Sequence, residues 1–239
     1  MVRIERLVTP TRLVEKGGDM SIRCSLSATP RLWGGFVVIL LFGLGLAACS
    51  DVKETPLPQQ SVVLVLGDSI SAGYGLSREQ SWVAQLAPLA GWKMINGGVS
   101  GDTSRQGLAR LPALLEEHRP VVVIIELGGN DMLRRMAINE TVLAIEAIIT
   151  KVKVASARPV LMAIPAPSLA GAAFGNLSDA DFYAEIAARQ KVALIDSTVS
   201  EVLSETSLKL DQLHPNAEGH RELATRVAEK LRRLGLLAS

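Results

Sequence analysis

The run Val121-Val122-Val123-Ile124-Ile125 contains no polar residue and shows no alternation between apolar and polar positions. Such a run is typical of a parallel strand that helices cover on both faces. Other short apolar segments lie on either side of it along the chain, and patterns of helical length separate them. Since helix-length connections join parallel strands, this order predicts βαβ units. We therefore expect an α/β fold with three layers, α/β/α, around a mostly parallel five-stranded sheet.

Ligands of such sheets bind beyond the carboxyl ends of the strands. Glycine and polar residues follow the first three predicted strands, in residues 67–71, 97–103 and 128–131, and a similar segment, 211–215, precedes the last helix. These four segments are the candidate site. The predicted strands are 62–66, 93–96, 121–127, 160–164 and 192–195, and the predicted helices are 79–90, 104–118, 140–157, 180–190 and 217–234.

The N-terminal region has a different composition. Residues 32–50 carry no charge, and residues 36–46 form an apolar stretch that suits the hydrophobic region of a signal peptide. This stretch ends at Leu46-Ala47-Ala48-Cys49, which resembles the lipobox of bacterial lipoproteins. We therefore expect residues 1–48 to be a signal peptide, Cys49 to be lipidated, and residues 49–60 to form the lipidated N-terminus and a polar tether. An uncleaved transmembrane anchor is the alternative, since about 18 apolar residues can span a bilayer.

Residues 1–19 mix acidic and basic side chains, whereas residues 20–31 contain only Arg23 and Arg31 as charged residues. The second pattern is typical of the start of a signal peptide, so we predict that translation begins at Met20. With such a signal peptide and a lipidated Cys49, we expect the protein to be a membrane-anchored lipoprotein that faces the periplasm. Ser50 after the modified cysteine favours the outer membrane, and a soluble periplasmic protein is the alternative.

The overall composition excludes several classes of protein. A formal net charge of +1 indicates no nucleic-acid partner. The mean hydropathy of +0.28 is raised by residues 32–50, and no comparable run follows, which excludes a polytopic membrane protein. The chain has two cysteines, Cys24 and Cys49. If both are removed or lipidated, the mature domain has no disulfide and no thiolate metal site.

Ser69 is the candidate nucleophile. It follows the first strand and opens a predicted helix, so its backbone N–H can face a developing oxyanion. A serine hydroxyl needs a base, and His214 can serve if Asp211, three residues earlier, holds its Nδ1–H. Taken singly, Ser69 could be a helix cap or a turn residue, and such an Asp–His pair is more often structural than catalytic.

The other two histidines favour structural interpretations. His118 lies at the end of a charged helix, where a cation suits the helix C-terminus. His220 lies at the start of the last helix and is expected to be a surface or capping residue.

Gly101 and Asn130 are candidate donors to an oxyanion. Gly101 offers a backbone N–H without a side chain that would block a substrate, and Asn130 offers an amide NH₂. Asn130 could instead be a left-handed turn residue after two glycines. The aspartates in these segments are expected to order the loops by hydrogen bonds rather than react: Asp68, Asp102 and Asp131.

Together, these segments resemble the SGNH/GDSL hydrolase family, in its bacterial thioesterase, lysophospholipase and arylesterase branch. The blocks are Gly67-Asp68-Ser69-Ile70-Ser71-Ala72-Gly73-Tyr74, residues 96–112, Glu126-Leu127-Gly128-Gly129-Asn130-Asp131 and residues 211–215. They occur in the family's order, and the resemblance covers about residues 61–235. It implies a flavodoxin-like fold for residues 61–239, with no metal and no organic cofactor.

By position, the resemblance implies that Ser69 is the nucleophile, His214 the general base and Asp211 the residue that orients it. The oxyanion hole would consist of the Ser69 N–H, the Gly101 N–H and Asn130 Nδ2. The segment 165–176 is rich in small residues and departs from the substrate-shaping loop of this branch, so no acyl-chain preference is transferred.

The expected function is a serine ester hydrolase that cleaves carboxylic esters or thioesters through an acyl-enzyme. Its partners would be a small acyl ester or thioester substrate and, through the N-terminal lipid, a membrane, and we expect a monomer. One alternative is an acetyl esterase that acts on envelope carbohydrate. A distant alternative is a non-catalytic lipoprotein that binds an anion, although the chain lacks a Gly-x-x-x-x-Gly-Lys-Ser/Thr motif.

Overall fold

The computed structural model describes residues 53–168, 171 and 175–238. In this part of the chain five strands form one sheet in the order β2-β1-β3-β4-β5, and all neighbouring strands are parallel. The predicted α/β fold is confirmed, and the sheet is parallel throughout rather than mostly parallel. The strands are β1 (Val62–Gly67), β2 (Lys93–Asn96), β3 (Val122–Glu126), β4 (Arg158–Met162) and β5 (Ala193–Ile195).

Among the described residues, the longer helices form two groups, and helices of the same group contact one another. Helix α8 contacts α2 and α7, whereas α5 contacts α3 and α6, as expected for layers on two faces of a sheet. The helices are α1 (Ser69–Ala72), α2 (Trp82–Ala90), α3 (Ser104–His118), α4 (Gly129–Leu133), α5 (Ile138–Val154), α6 (Phe182–Gln190), α7 (Thr198–Ser204) and α8 (Ala217–Arg233).

The core lies between the sheet and these helices. All five residues of β3 are buried, which explains why its sequence shows no alternation. On α5 the buried positions recur every three or four residues, so one stripe of the helix faces the sheet. These positions are Thr141, Ala144, Ile145, Ile148, Ile149 and Val152.

The strand order positions the candidate site. The chain passes from β1 to β2 on one side and then returns to place β3 on the other side of β1. The loops after β1 and β3 therefore diverge and leave a crevice at the carboxyl edge of the sheet. Ser69 follows β1 and Asn130 follows β3, so both lie at this crevice.

The segment before β1 packs against the domain. The Glu54 N–H donates to the Leu234 carbonyl at 2.8 Å, and the side chain of Leu57 is buried. The packed part of the chain therefore begins earlier than residue 61. The predictions for the signal peptide, the start at Met20 and lipidation of Cys49 fall outside the described residues. In the part of the chain that the structure describes, no helix combines the length and hydropathy that a membrane crossing requires.

Candidate active site

Ser69 is the first residue of α1 and comes two residues after the end of β1. Asp68 caps this helix by accepting a hydrogen bond from the Ile70 N–H at 3.0 Å. The helix has only four residues, so the N–H groups of its first turn have few partners within the helix. This turn presents the partly exposed Ser69 side chain at the carboxyl edge of the sheet.

Three side chains form one continuous chain of hydrogen bonds, although Ser69 lies near the start of the domain and the other two lie near its end. Ser69 Oγ lies 3.0 Å from His214 Nε2. His214 Nδ1 lies 2.9 and 2.8 Å from the two carboxylate oxygens of Asp211. The structure therefore brings together the three residues that the sequence singled out, in the order that general-base activation of a hydroxyl requires.

Asp211 also orders the loop that carries the histidine. Its Oδ1 atom accepts the N–H groups of Leu213 at 2.7 Å and His214 at 2.9 Å. Partial burial works to raise the pKa of Asp211, but the hydrogen bonds from His214 and Leu213 outweigh burial and lower it. Asp211 is therefore held as a carboxylate, which fixes Nδ1 of the imidazole as a donor and leaves Nε2 to face Ser69.

Tyr74 stacks on His214, with ring centroids 4.3 Å apart and an angle of 27° between the rings. Its side chain is about half exposed and forms part of the cavity wall. No role for Tyr74 was predicted from the sequence. Its position five residues after Ser69 in the same block was the available signal, but a contact with a loop 140 residues away has no local signature.

Gly101 and Asn130, the expected oxyanion donors, line the same cavity as Ser69. Gly101 has a φ of 86°, a conformation that glycine adopts without strain. Its carbonyl accepts a hydrogen bond from Arg134 Nη2 at 2.7 Å, which fixes the orientation of this part of the loop. No role for Arg134 was predicted from the sequence.

Asn130 lies inside α4, so its interpretation as a left-handed turn residue is wrong. The left-handed residue is Gly128, the N-cap of α4, with a φ of 119°. Asn130 Nδ2 donates to Asp68 Oδ2 and to the Asp102 carbonyl, both at 3.0 Å. Both amide protons are thus engaged within the protein, and an oxyanion would have to share or replace one of these bonds.

A pair of buried carboxyl groups lies behind Ser69. Glu126, the last residue of β3, accepts hydrogen bonds at Oε2 from Ser71 Oγ at 2.5 Å and from the Asp68 N–H at 3.3 Å. Its Oε1 atom is buried and has no hydrogen-bond partner among the described residues. Burial raises the pKa of Asp68 from 3.8 to about 6. Burial, followed by the charge of Asp68, raises the pKa of Glu126 well above its ordinary value.

The other two aspartates of the candidate segments hold loops together, as expected. Asp102 binds Arg110 at 2.6 Å. Asp131 accepts the Ser104 N–H at 2.8 Å and the Ser104 hydroxyl at 2.5 Å, which joins α4 to the start of α3. These partners are more distant in sequence than the local hydrogen bonds that the sequence suggests.

The cavity at this site has a volume of about 820 Å³. Its lining includes the polar side chains of Ser69, His214 and Asn130. Most of the surface of the cavity is apolar, so the site can hold a hydrocarbon group next to a reactive hydroxyl. The large apolar side chains of this surface are Leu133, Ile164, Leu177, Leu203 and Leu213.

The remaining histidines lie outside the hydrogen-bonded chain at Ser69. His118 is the last residue of α3 and is partly exposed, in agreement with its structural interpretation. His220 is fully buried, so its interpretation as a surface or capping residue is wrong. Its Nδ1 atom accepts the Trp82 N–H at 3.1 Å, and this bond connects α8 to the first residue of α2.

Comparison with known proteins identifies the family. The sequence profile of the GDSL-like Lipase/Acylhydrolase family matches residues 65–222. The chain is 39% identical over 204 residues to Thioesterase 1/protease 1/lysophospholipase L1 of Escherichia coli (strain K12), which covers 83% of this chain and 90% of that protein. It is 37% identical over 192 residues to Arylesterase of Vibrio mimicus, with 78% of this chain and 92% of that protein covered.

Solved structures agree with this assignment. The crystal structure of TesA superposes with a TM-score of 0.65 at 36% identity and covers 73% of this chain and 99% of that one. The psychrotrophic esterase EstA from Pseudoalteromonas sp. superposes with a TM-score of 0.64 at 30% identity, with 72% and 97% covered. The predicted family is thereby confirmed. The chain belongs to the GDSL-like lipase/acylhydrolase family, and it is a hydrolase of the GDSL esterase and thioesterase type.

Proposed function

We propose that this chain is a serine ester hydrolase in which Ser69 is the nucleophile, His214 the general base and Asp211 the residue that orients His214. The observation that carries the proposal is the continuous chain from Ser69 Oγ to His214 Nε2 and from His214 Nδ1 to the Asp211 carboxylate. The contacts along this chain, at 2.8 to 3.0 Å, have the distances of ordinary hydrogen bonds. A cavity of about 820 Å³ opens onto Ser69.

In the first half of the reaction, Ser69 Oγ attacks the carbonyl carbon of the ester while its proton passes to His214 Nε2. The resulting imidazolium is stabilised by the Asp211 carboxylate. The oxyanion is stabilised by the N–H groups of Ser69 and Gly101 and by Asn130 Nδ2. When the tetrahedral intermediate collapses, the carbon–oxygen or carbon–sulfur bond breaks and the leaving alcohol or thiol takes the proton from His214.

In the second half, water attacks the acyl-enzyme and gives its proton to His214. Collapse of the second tetrahedral intermediate releases the carboxylic acid, and His214 returns the proton to Ser69. Asn130 must free an amide proton for the oxyanion in both halves. The bond that it gives up is either the one to Asp68 or the one to the Asp102 carbonyl.

The substrate class that we propose is a carboxylic ester or thioester with a hydrocarbon acyl group. The apolar wall of the cavity supports this choice, because an acetyl group would leave most of the volume unfilled. The relatives named thioesterase, lysophospholipase and arylesterase support it as well. An acetyl esterase for envelope carbohydrate remains an outcome that the experiment below distinguishes.

We also propose that the enzyme is an exported lipoprotein of the outer membrane, anchored through Cys49 after removal of residues 1–48. The support is the uncharged run of residues 32–50 and the small residues directly before Cys49. Mass spectrometry of the mature N-terminal peptide tests this: we expect a lipid-modified Cys49, and an unmodified Cys49 would overturn it.

Hydrolysis of p-nitrophenyl esters of graded chain length, and of matched acyl thioesters, tests the proposed reaction. We expect residues 50–239 to prefer longer acyl groups to acetyl and Ser69→Ala to lose all turnover. Ser207→Ala, at an exposed serine outside the cavity, is the matched control and should retain it. Hydrolysis of acetyl esters alone would instead support the carbohydrate esterase, and no hydrolysis by the folded protein would reject both.

The same assay ranks the other two residues. We expect His214→Ala to lower kcat by about 10⁵-fold or more and Asp211→Asn by about 10³- to 10⁴-fold, since Asp211 only orients the base and compensates its charge. Equal losses in both variants, accompanied by a lower melting temperature, would indicate a structural role for the pair.

A further inference from the structure

Residues 54–60, here called the N-terminal strap, are fastened to the domain by backbone hydrogen bonds. The Glu54 N–H donates to the Leu234 carbonyl at 2.8 Å, and the Leu57 N–H donates to the Leu236 carbonyl at 2.9 Å. At the far end of the strap, the Gln60 N–H donates to the Gly91 carbonyl at 2.8 Å. The strap is therefore part of the folded domain.

A buried leucine and an arginine add to this attachment. The Leu57 side chain is buried in the hydrophobic core. Arg158 Nη1 donates to the Thr55 carbonyl at 2.8 Å and to the Thr55 hydroxyl at 3.1 Å, and it pairs with the Glu54 carboxylate at 3.3 Å. Since Arg158 is the first residue of β4, these contacts place the strap at the edge of the sheet where the strands begin.

The candidate active site lies at the opposite edge. All strands are parallel, so their first residues share one edge and their last residues share the other. Ser69 and Asn130 follow the ends of β1 and β3. The six residues of β1 span about 17 Å from the first Cα atom to the last, at roughly 3.3 Å per residue. The strap precedes this span and Ser69 lies two residues beyond it, so the separation between strap and site is larger than the strand itself.

Only four residues lie between Cys49 and Glu54. Fully extended, this connection reaches at most about 18 Å. It is too short to run along the side of the domain from the strap to the mouth of the cavity. A lipid on Cys49 must therefore hold the strap edge of the domain close to the membrane.

The charge at the strap edge suits this orientation. Helices α3 and α5 lead to the start of a strand and therefore end at this edge, and α8 ends beside the strap. Exposed basic side chains follow or form the last turns of these helices: Arg119, Lys151, Lys153, Arg232 and Arg233. Such side chains attract an anionic lipid surface. Glu116, Glu117 and Glu229 offset part of this positive charge. Exposed Tyr74 and Leu213 at the mouth would also suit a membrane contact, but the short connection keeps them from the anchoring membrane.

We infer that the anchored enzyme turns its active site away from its own membrane. Its substrate is then an ester or thioester dissolved in the surrounding compartment, or carried on material that faces the membrane, and not a lipid of the anchoring leaflet. This inference rests on the proposed function and on the proposed lipidation of Cys49.

Fluorescence measurements on the lipidated protein in vesicles test the orientation directly. Because lipidation of Cys49 leaves no free thiol in the mature chain, a single introduced cysteine can carry a dye. Gln212→Cys labels the mouth, and Ala238→Cys labels the strap edge, both at exposed positions. With an acceptor dye in the vesicle headgroups, the label at position 238 should lose more emission than the label at position 212.

An insertion separates orientation from mere attachment. A flexible Gly/Ser linker of about twenty residues between Ser50 and Asp51 should reduce the difference between the two labels, since the domain can then turn freely. Equal or reversed emission losses without the linker would overturn the inference. Failure of the protein to float with the vesicles would overturn it too, since there would then be no anchor.

A covalent probe connects this geometry to the reaction. A water-soluble fluorophosphonate should label Ser69 equally fast with and without the linker. A fluorophosphonate carried on a lipid of the same vesicle should label the linker variant faster. Equal labelling of both forms by the lipid-borne probe would overturn the inference. No labelling by the soluble probe would reject the proposed function, while the dye measurements would still report the orientation.

Discussion

At the scale of single residues, the nucleophile is surrounded by carboxyl groups that the proposed mechanism does not use as reactants. Asp68 and Glu126 are buried together behind Ser69, and Asp68 also accepts a hydrogen bond from Asn130. A carboxyl group whose pKa is higher in the folded state binds its proton more tightly when folded. The folded state therefore loses stability as pH rises from the ordinary pKa through the raised one.

Glu126→Gln should flatten this pH dependence. The pH range over which Asp68 lowers stability runs from 3.8 to about 6. For Glu126 this pH range begins at 4.5 and extends well above that value. The glutamine cannot ionise, and its Oε1 can still accept the Ser71 hydroxyl. As the pH rises across this range, the melting temperature should fall less steeply in the variant than in the wild type. Glu116→Gln, at an exposed position of α3, is the control, and an equally steep fall in Glu126→Gln would contradict the prediction.

Tyr74 should matter through its ring and not through its hydroxyl. The ring stacks on His214, which becomes an imidazolium during the proposed reaction, and an exposed contact of a cation with an aromatic ring is worth about 1 kcal/mol. Tyr74→Ala should therefore lower kcat by about fivefold. Tyr74→Phe keeps the ring and should retain kcat in the same ester assay. If both variants lose activity equally, the hydroxyl and not the stacking would be responsible.

At the scale of elements, the short helices are where sequence and structure differ most. Helices α4 and α7 were not predicted, because five and seven residues are too few to establish a helical period. The predicted helix 79–90 begins only at Trp82, since residues 78–80 form a separate 3₁₀ turn. The long helices and the apolar strands were predictable because their patterns repeat over several turns or remain buried on both faces.

The candidate site was predictable to the extent that its residues follow the strands directly. Ser69, Gly101 and Asn130 do so, and Asp211 and His214 form a block of their own. The contacts that support them join distant elements: Glu126 reaches Ser71, Arg134 reaches Gly101, and Tyr74 stacks on His214. A single sequence contains no signal for such pairings.

His220→Gln tests one such contact between elements. Burial, followed by the positive charge of His214, lowers the pKa of His220 from 6.5 to about 4. The unfolded chain then binds a proton more readily than the folded one, so stability falls as pH decreases from about 6.5 to about 4. Glutamine can still accept the Trp82 N–H but has no such titration.

We therefore expect the melting temperature of His220→Gln to fall less than that of the wild type as the pH decreases over this range. His118→Gln, at the partly exposed end of α3, is the matched control and should behave as the wild type. This dependence has the opposite sign to that of Asp68 and Glu126, so the two variants should change the pH profile in opposite directions. Identical profiles for His220→Gln and the wild type would contradict the prediction.

At the scale of the whole molecule, the two edges of the sheet differ in what they carry. The edge where the strands end carries the candidate active site, whereas the edge where they begin holds the strap. The parallel sheet was predictable from the sequence. The packing of the strap was not, because residues 54–60 contain a single large apolar side chain, Leu57, and two prolines, and show no periodicity.

Leu57→Ala should therefore change stability without changing catalysis. The side chain is buried at the strap edge, and removing it should cost about 2 kcal/mol, near the lower end for buried leucines. For a domain of this size that corresponds to a fall in melting temperature of about 4 to 8 °C. Leu143→Ala, at an exposed leucine of α5, should leave the melting temperature nearly unchanged.

Well below the transition, kcat of Leu57→Ala should equal that of the wild type, since the strap and Ser69 lie at opposite ends of β1. A loss of kcat at that temperature would mean that the two edges are coupled through the sheet.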